Sequence, residues 1–448
     1  MEQVDYIIHG DHILTMNDRL DIVHDGAVAV KNGVISDVGL SVDILKKYTA
    51  SRTIGGCGKL VLPGFVNTHT HAAMVYFRGL ADDLPLKEWL EKHIWPAEDR
   101  LLSAEFVYDA VLLACLEMLK SGVTTYNDMY FFGDSAARAS KQLGMRALLG
   151  VGILDFPSMT AKTVDEYLGN ADRFIGFWKG DPLITPCIAP HSAYACSTQT
   201  LVRVKELADR RDVLTSIHVS ETAWEVDELS RRYGKKPVEY LENIGFLSDR
   251  LLAAHCVWLD DLEIDLLAER GVAVSHCIES NLKMASGIAP VPKMLAAGVK
   301  VSLGTDGAAS NNDLNILSEM STAAKVHKAA ANDPTVVDSK TALLMATRWG
   351  AEALGLGSQV GSIEPGKRAD LLTLNMLRPH LTPAYDLYSL IVYAAMASDI
   401  EDVLVDGTLV IEGRALVTGD EEAILQKAYE WSRKVISKGQ GSGVKGQV

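Results

Sequence analysis

Hydrophobic and polar positions alternate in two textures along this chain. Near the start, short β-rich runs at Val4–Ile8, Ile13–Met16, Ala27–Lys31 and Val34–Val38 are separated by turn residues. Asn32-Gly33, between the last two, is a strong hairpin signal, because both central positions of a type I′ turn need positive φ. The same texture returns late, at Ala369–Leu374, Val403–Val405 and Leu409–Ile411, with Asp406-Gly407 between the last two. Two-stranded ribbons are marginal alone. The two ends are therefore expected to build one small β-sandwich domain, from residues 1–62 and 363–425.

The middle alternates apolar runs with amphipathic stretches, the pattern of βα units on a parallel sheet. The runs are Leu60–Phe65, Val123–Tyr126, Ala147–Val151, Leu183–Ile188, Val213–Ile217, Leu251–Ala254, Val272–Val274 and Val299–Leu303. About eight such strands close a barrel, so an α/β fold with a (β/α)8 TIM barrel over residues 63–362 is expected. One intervening helix is legible in detail. Ser103 can cap it, Glu105 complements its dipole, Val107, Ala110, Val111, Ala114 and Met118 form its stripe, and Gly122 ends it. Residues 426–448 read as a terminal helix and, from Lys438 to Val448, a Gly- and Lys-rich mobile tail.

Chemistry enters where polar residues follow these runs. Seven runs are followed within a few residues by a metal-capable or acid–base side chain: His69/His71, Asp128, His191, His218, His255, His276 and Asp306. The C-terminal strand ends of a barrel converge on one mouth, so these residues would meet in space. His69 and His71 are alternate residues of a strand, and both rings can face one ion. His218 precedes Glu221 by three residues, and Asp306 lies in a Gly-Thr-Asp-Gly turn. Each has a bland reading, a satisfied core histidine, a surface glutamate or an ordinary turn. Together, three histidines and a carboxylate with a position left for water match a catalytic zinc-type centre, where the carboxylate also takes a proton from water. His276 and Ser275 are expected to shape the pocket, Asp128 to be structural or functional, and Trp89 and Trp95 to be substrate walls or core. His9, His12, His24, His93, His327 and His380 lie off the strand ends and read as surface or structural.

Composition narrows the partners. The net charge of −15 over 448 residues argues against a nucleic-acid polymer or an anionic membrane. The N-terminus has no basic and apolar leader, and no stretch approaches the roughly 18 apolar residues of a membrane span. The 6 cysteines form no CxxC pair and read as reduced thiols in a cytoplasmic protein, with Cys256 and Cys277 as packing residues.

The motifs Pro-Gly-Phe-Val-Asn-Thr-His-Thr-His at residues 63–71, His218 with Glu221, Ala254-His255-Cys256, Ser280-Asn281-Leu282-Lys283 and Gly304-Thr305-Asp306-Gly307-Ala308 resemble the amidohydrolase superfamily. Nearly the whole chain, through Gly361–Lys367, resembles its 5′-methylthioadenosine/S-adenosylhomocysteine deaminases. The resemblance implies one divalent metal per subunit, Zn²⁺ with Fe²⁺ or Mn²⁺ as alternatives, held by His69, His71, His218 and Asp306. It also implies that Glu98 binds the ribose hydroxyls, His191 contacts the purine, His255 orients the attacking water, and the protein is a homo-oligomer. Glu221 would protonate a ring nitrogen. Relatives offer an arginine to the homocysteine carboxylate where Val151 stands here. A 5′-methylthioadenosine-like substrate is therefore expected over S-adenosylhomocysteine, with 5′-deoxyadenosine and adenosine also possible, its tail pocket formed by Leu148, Leu149, Ile153 and Phe156. Two other readings stay open at this point: a related enzyme acting on guanine, cytosine, a chlorotriazine or a cyclic amide, and a non-catalytic scaffold.

Overall fold

The computed structural model describes residues 1–84 and 86–439. Their strands form two eight-stranded sheets. One sheet unites the chain ends: β1 (Glu2–Leu14), β2 (Ile22–Lys31), β3 (Val34–Leu40) and β4 (Tyr48–Pro63). The second is the barrel: β5 (Phe65–Thr70), β6 (Val123–Tyr130), β7 (Arg146–Ile153), β8 (Ile184–Pro190), β9 (Thr215–Val219), β10 (Leu251–His255), β11 (Ala273–His276) and β12 (Lys300–Leu303). The first sheet is completed by β13 (Leu371–Asn375), β14 (Ile400–Val405), β15 (Thr408–Glu412) and β16 (Ala415–Leu416).

In the terminal sheet the order is β16-β15-β14-β13-β4-β1-β2-β3. The N- and C-terminal parts join where β13 runs antiparallel to β4, with Leu371 opposite Pro63. Both expected hairpins form, and Asn32, Gly33, Asp406 and Gly407 all have positive φ. The hairpin tips also touch: a Cβ on Gly407 would lie 2.3 Å from the Gly33 Cα, so only glycine permits this approach. Ile8, Val28, Val30, Leu371, Leu404 and Leu409 share one buried cluster between the two halves.

Two sequence boundaries shift. Val4–Ile8 and Ile13–Met16 belong largely to one strand, β1, bridged by a bulge at Gly10/His12. The Leu60–Phe65 run is cut at Gly64, with Leu60–Pro63 ending β4 and Phe65 starting the barrel. A Cβ at Gly64 would sit 2.1 Å from the Thr124 side chain, so the chain threads between the sheets at a position only glycine fits.

The barrel strands lie in chain order, each parallel to the next. Between β12 and β5, Thr68 Oγ1 donates to the Leu303 carbonyl at 2.8 Å and the Asp306 N–H to the His69 carbonyl at 2.9 Å. Arg146, at the start of β7, ties the barrel to the terminal sheet through Asp370 and Asp406, each at 2.9 Å. The Ala104–Lys120 helix forms as expected, with Ser103 Oγ accepting the Phe106 N–H and the predicted stripe buried. The terminal helix spans Glu421–Gly439, so the expected tail is helical at its first two residues and otherwise lies outside the described residues. Among the described residues no helix is long and apolar enough to cross a membrane.

Candidate active site

The strand-end polar residues gather at one end of the barrel. His69 and His71 emerge from β5 with ring centroids 5.0 Å apart, and the His218 ring lies 4.9 Å from His69 and 5.3 Å from His71. His255 closes the group, 5.5 Å from His69 and 5.4 Å from His218. Asp306 Oδ1 is 3.3 Å from His71 Nε2 and 3.6 Å from His69 Nε2. His255 and Asp306 have left-handed φ, as do Ser220 and Cys256 beside them. Such strain costs of order 1–3 kcal/mol per residue and collects where geometry is held for function.

Hydrogen bonding decides what these rings present. His71 Nδ1 meets the Met129 carbonyl at 2.6 Å and His218 Nδ1 the His191 carbonyl at 2.7 Å. A carbonyl only accepts, so each Nδ1 carries its proton, and each ring meets any further proton or cation through Nε2. Those Nε2 atoms face each other at 3.3 Å, beside the Asp306 carboxylate. Both ring nitrogens of buried His69 lack a hydrogen-bond partner. Burial alone would lower the His71 pKa, but hydrogen bonding and charge from Asp306 lift it to about 9. One shared proton cannot satisfy this many converging acceptors, whereas a divalent cation can. Among the described residues, two sets of donor atoms are close enough to hold one: His69, His71 and Asp306, and His69, His218 and His255.

The surrounding groups orient this centre. Ser280 and Ser310 each donate to Asp306 Oδ2 at 2.7 Å. Asn281 Oδ1 accepts from His255 Nδ1 at 2.9 Å, which leaves Nε2 as the acceptor of a neutral His255 ring. Burial would raise the Asp306 carboxyl, yet the close approach of the His69 and His71 rings drives it well below the usual carboxylate range.

The centre forms part of the wall of a cavity of about 660 Å³. Glu221 and His191 line it on the barrel side, and Trp89, Ile94, Trp95 and Glu98 on the side of the segment after β5. Leu154, Phe156, Met159, Tyr194 and Trp224 make much of the rest aromatic or apolar. Burial raises the Glu221 carboxyl above its ordinary value. Burial also raises Glu98 to about 7, against the opposing hydrogen bond from Tyr130. Burial lowers His191 to about 3, so its ring is neutral near pH 7.

Other sequence expectations move. Asp128 lies off the cavity and accepts the Ala72 N–H at 2.8 Å, fixing the turn after His71. Neither His276 nor Ser275 shapes the cavity: His276 Nε2 pairs with buried His327 Nε2 at 2.9 Å, and Ser275 Oγ bonds Thr68 Oγ1 at 2.6 Å. Trp89 and Trp95 do wall the cavity. Of the four expected tail-pocket residues, Ile153 and Phe156 line it, while Leu148 and Leu149 are buried in core clusters. Val151 lines an adjoining cavity of about 560 Å³ with Arg138 and Arg173, which shares Tyr130, Phe131, Gly152 and Met159 with the first. Sequence reasoning gave no role to Tyr130, Ser310 or Arg232. Tyr130 had a signal, since it follows Asp128 by two on the same strand. Asn281 and Ser280 stood in a quoted motif without a function.

The amidohydrolase family profile matches residues 60–410. The chain is 55% identical to a 5-methylthioadenosine/S-adenosylhomocysteine deaminase of Thermodesulfovibrio yellowstonii, covering 96% of this chain and 98% of that one. It is 44% identical to a 5′-deoxyadenosine deaminase of Methanosarcina acetivorans, covering 97% and 99%. Among solved structures, an adenosine deaminase from Xanthomonas campestris with bound zinc superposes with a TM-score of 0.95 at 41% identity, covering 97% and 99%.

Proposed function

We propose, from the premise that the chain belongs to the amidohydrolase family, that it hydrolyses a 5′-substituted adenosine to the inosine analogue and ammonia. The observation that carries this reading is the shared cavity. His71, His218, His255, Asp306 and Glu221 line it together with the buried carboxyl of Glu98. Relatives named as deaminases of such nucleosides, similar over nearly the whole chain, support it.

We assign His69, His71, His218 and Asp306 as ligands of one divalent ion, Zn²⁺ by likeness to the zinc-bound relative. Such an ion supplies Lewis-acid chemistry, lowering the pKa of water from about 15.7 towards about 7. Asp306 accepts a proton from the attacking water. His255, its Nδ1 fixed by Asn281, holds that water through Nε2. Glu221, whose raised pKa keeps a proton available, protonates a ring nitrogen of the purine and makes the adjacent carbon electrophilic. The Asp306 proton then passes to the amino group, the carbon–nitrogen bond breaks to release ammonia, and the Glu221 carboxylate takes the proton of the added hydroxyl as the carbonyl forms. Glu98 accepts from the ribose hydroxyls, and neutral His191 contacts the purine. The apolar wall of Ile153, Leu154, Phe156 and Met159 suits an uncharged 5′ group such as thiomethyl.

The test is a panel of 5′-methylthioadenosine, S-adenosylhomocysteine, 5′-deoxyadenosine, adenosine, guanine and cytosine with metal-replete protein. Ammonia release and the adenine-to-hypoxanthine absorbance change are both followed. Turnover of the 5′-substituted adenosines is expected. Turnover of guanine or cytosine alone, or of nothing, overturns the reading.

A further inference from the structure

The turn Ile278–Lys283 sends three polar contacts in three directions. Ser280 bonds Asp306, Asn281 bonds His255, and Lys283 reaches out of the reaction centre. Its Nζ donates to Asp82 Oδ1 at 2.8 Å, Asn312 Oδ1 at 2.6 Å and the Ala309 carbonyl at 3.4 Å, matching its three N–H bonds. Asn312 Nδ2 in turn donates to the second oxygen of Asp82 at 3.0 Å. Asn312 lies on the same loop as Ser310, which bonds Asp306. Both loops that hold the reaction centre therefore meet at Asp82.

Asp82 stands just before the helical stretch whose Trp89, Ile94, Trp95 and Glu98 line the cavity. That stretch contains a π-helical turn at Leu90–Ile94, immediately before the turn carrying Glu98. Such turns are rare overall and frequent at functional sites. The wall thus depends on its ties to the barrel for its exact placement. Lys283 and Asp82 are about three-quarters and two-thirds buried, so their attraction is less screened than that of a surface pair.

We propose that Lys283 is a positioning residue that, through Asp82 and Asn312, holds the wall carrying Glu98 in register with the reaction centre. It touches neither the reacting atoms nor the cavity. It acts by setting the distance between the groups that hold the nucleoside and the groups that transform it. This rests on the function proposed above.

The wall contacts the nucleoside away from its reacting carbon, so loosening it removes binding shared by ground and transition states. Lys283→Met keeps the apolar stem and removes the three donors. In the metal-replete enzyme it is expected to raise KM for 5′-methylthioadenosine roughly 10- to 100-fold, with a smaller change in kcat and no change in bound metal. Asp82→Ala should do the same, and the double variant should be little worse than either single one, because all three break one tie. Hydrogen exchange at residues 86–101 should quicken in each variant while exchange in the barrel strands stays as in wild type. An unchanged KM, multiplicative effects in the double variant, or unchanged exchange at 86–101 would overturn the proposal. Should Lys283→Met fail to fold, Asp82→Ala carries the same test. If wild-type protein turns over no nucleoside, the proposed function fails, and the exchange measurement still decides the tie.

Discussion

Replacing Glu221 with glutamine separates proton transfer from every other duty of the site. The change is isosteric. The surrounding loop is held by groups it leaves untouched: the Glu221 N–H donates to Glu225 Oε2 at 2.9 Å, and Thr222 Oγ1 caps the next helix by accepting the Glu225 N–H at 3.2 Å. The metal-site candidates and their partners are likewise unaltered. What is lost is a carboxyl that burial holds protonated above its ordinary range. A positioned proton-transfer group contributes about 10²- to 10⁴-fold, or about 2.7–5.4 kcal/mol of barrier. The variant should therefore lose at least about 10²-fold in kcat while keeping its metal. The pH dependence follows from the direction of the shift. An acid must hold its proton to act, so wild-type activity falls as pH rises through the raised pKa, and this limb should vanish in the variant. Stability moves the other way. The folded state holds the Glu221 proton to higher pH than the unfolded chain does, so wild-type stability declines as pH rises through that interval. Glutamine does not titrate, and the variant should be at least as stable as wild type at pH 8. The assay is kcat by ammonia release across pH, with metal content and Tm on the same samples. A metal-replete variant within about 10-fold of wild-type kcat would refute the assignment.

Three further outcomes are expected. His218→Ala should lose both bound metal and turnover, and full retention of metal by elemental analysis would remove His218 from the ligand set. Glu98 must be ionised to accept two ribose hydroxyls, and burial lifts it to about 7; KM should therefore rise as pH falls from 8 to 6 in wild type and stay flat in Glu98→Gln, and a flat wild-type profile contradicts the role. 5′-Methylthioadenosine should exceed S-adenosylhomocysteine in kcat/KM by roughly 10- to 150-fold, the worth of one missing charge-assisted hydrogen bond of about 1.5–3 kcal/mol. The cavity's Arg232 already meets Glu228 and the Tyr194 carbonyl, so equal values would show that it, Arg138 or Arg173 turns to the homocysteine carboxylate.

Polar residues at strand ends were legible because burying them costs free energy unless something repays it. His69, His71, His218, His255 and Asp306 stand out after apolar runs for that reason, and they do converge. Apolar positions carry no such contrast. Barrel strands are covered on both faces, so their side chains read as continuous hydrophobic runs and the inward face cannot be picked out. The sequence therefore does not show that Leu148 and Leu149 pack in the core and not at the tail pocket. The junction at Gly64 was invisible for a related reason, since Leu60–Phe65 is one apolar run although it serves two sheets.

The polar signal also has a characteristic failure, and His276 displays it. It ends β11 just as His255 ends β10, and the local pattern of the two is alike. Their difference lies in partners distant in sequence. His71 and His218 spend Nδ1 on the carbonyls of Met129 and His191, and His255 spends its own on Asn281. Each is left with Nε2 for the shared centre. His276 instead directs Nε2 to His327, 51 positions away on the helix Ile316–Ala331. A ring that donates through one nitrogen to a fixed acceptor is oriented to offer the other nitrogen to a ligand. A ring whose Nε2 is already taken by a second buried imidazole is structural. The sequence names the histidines, but for His71 and His218 the tautomer that gives each its task is written by backbone carbonyls that carry no side-chain identity.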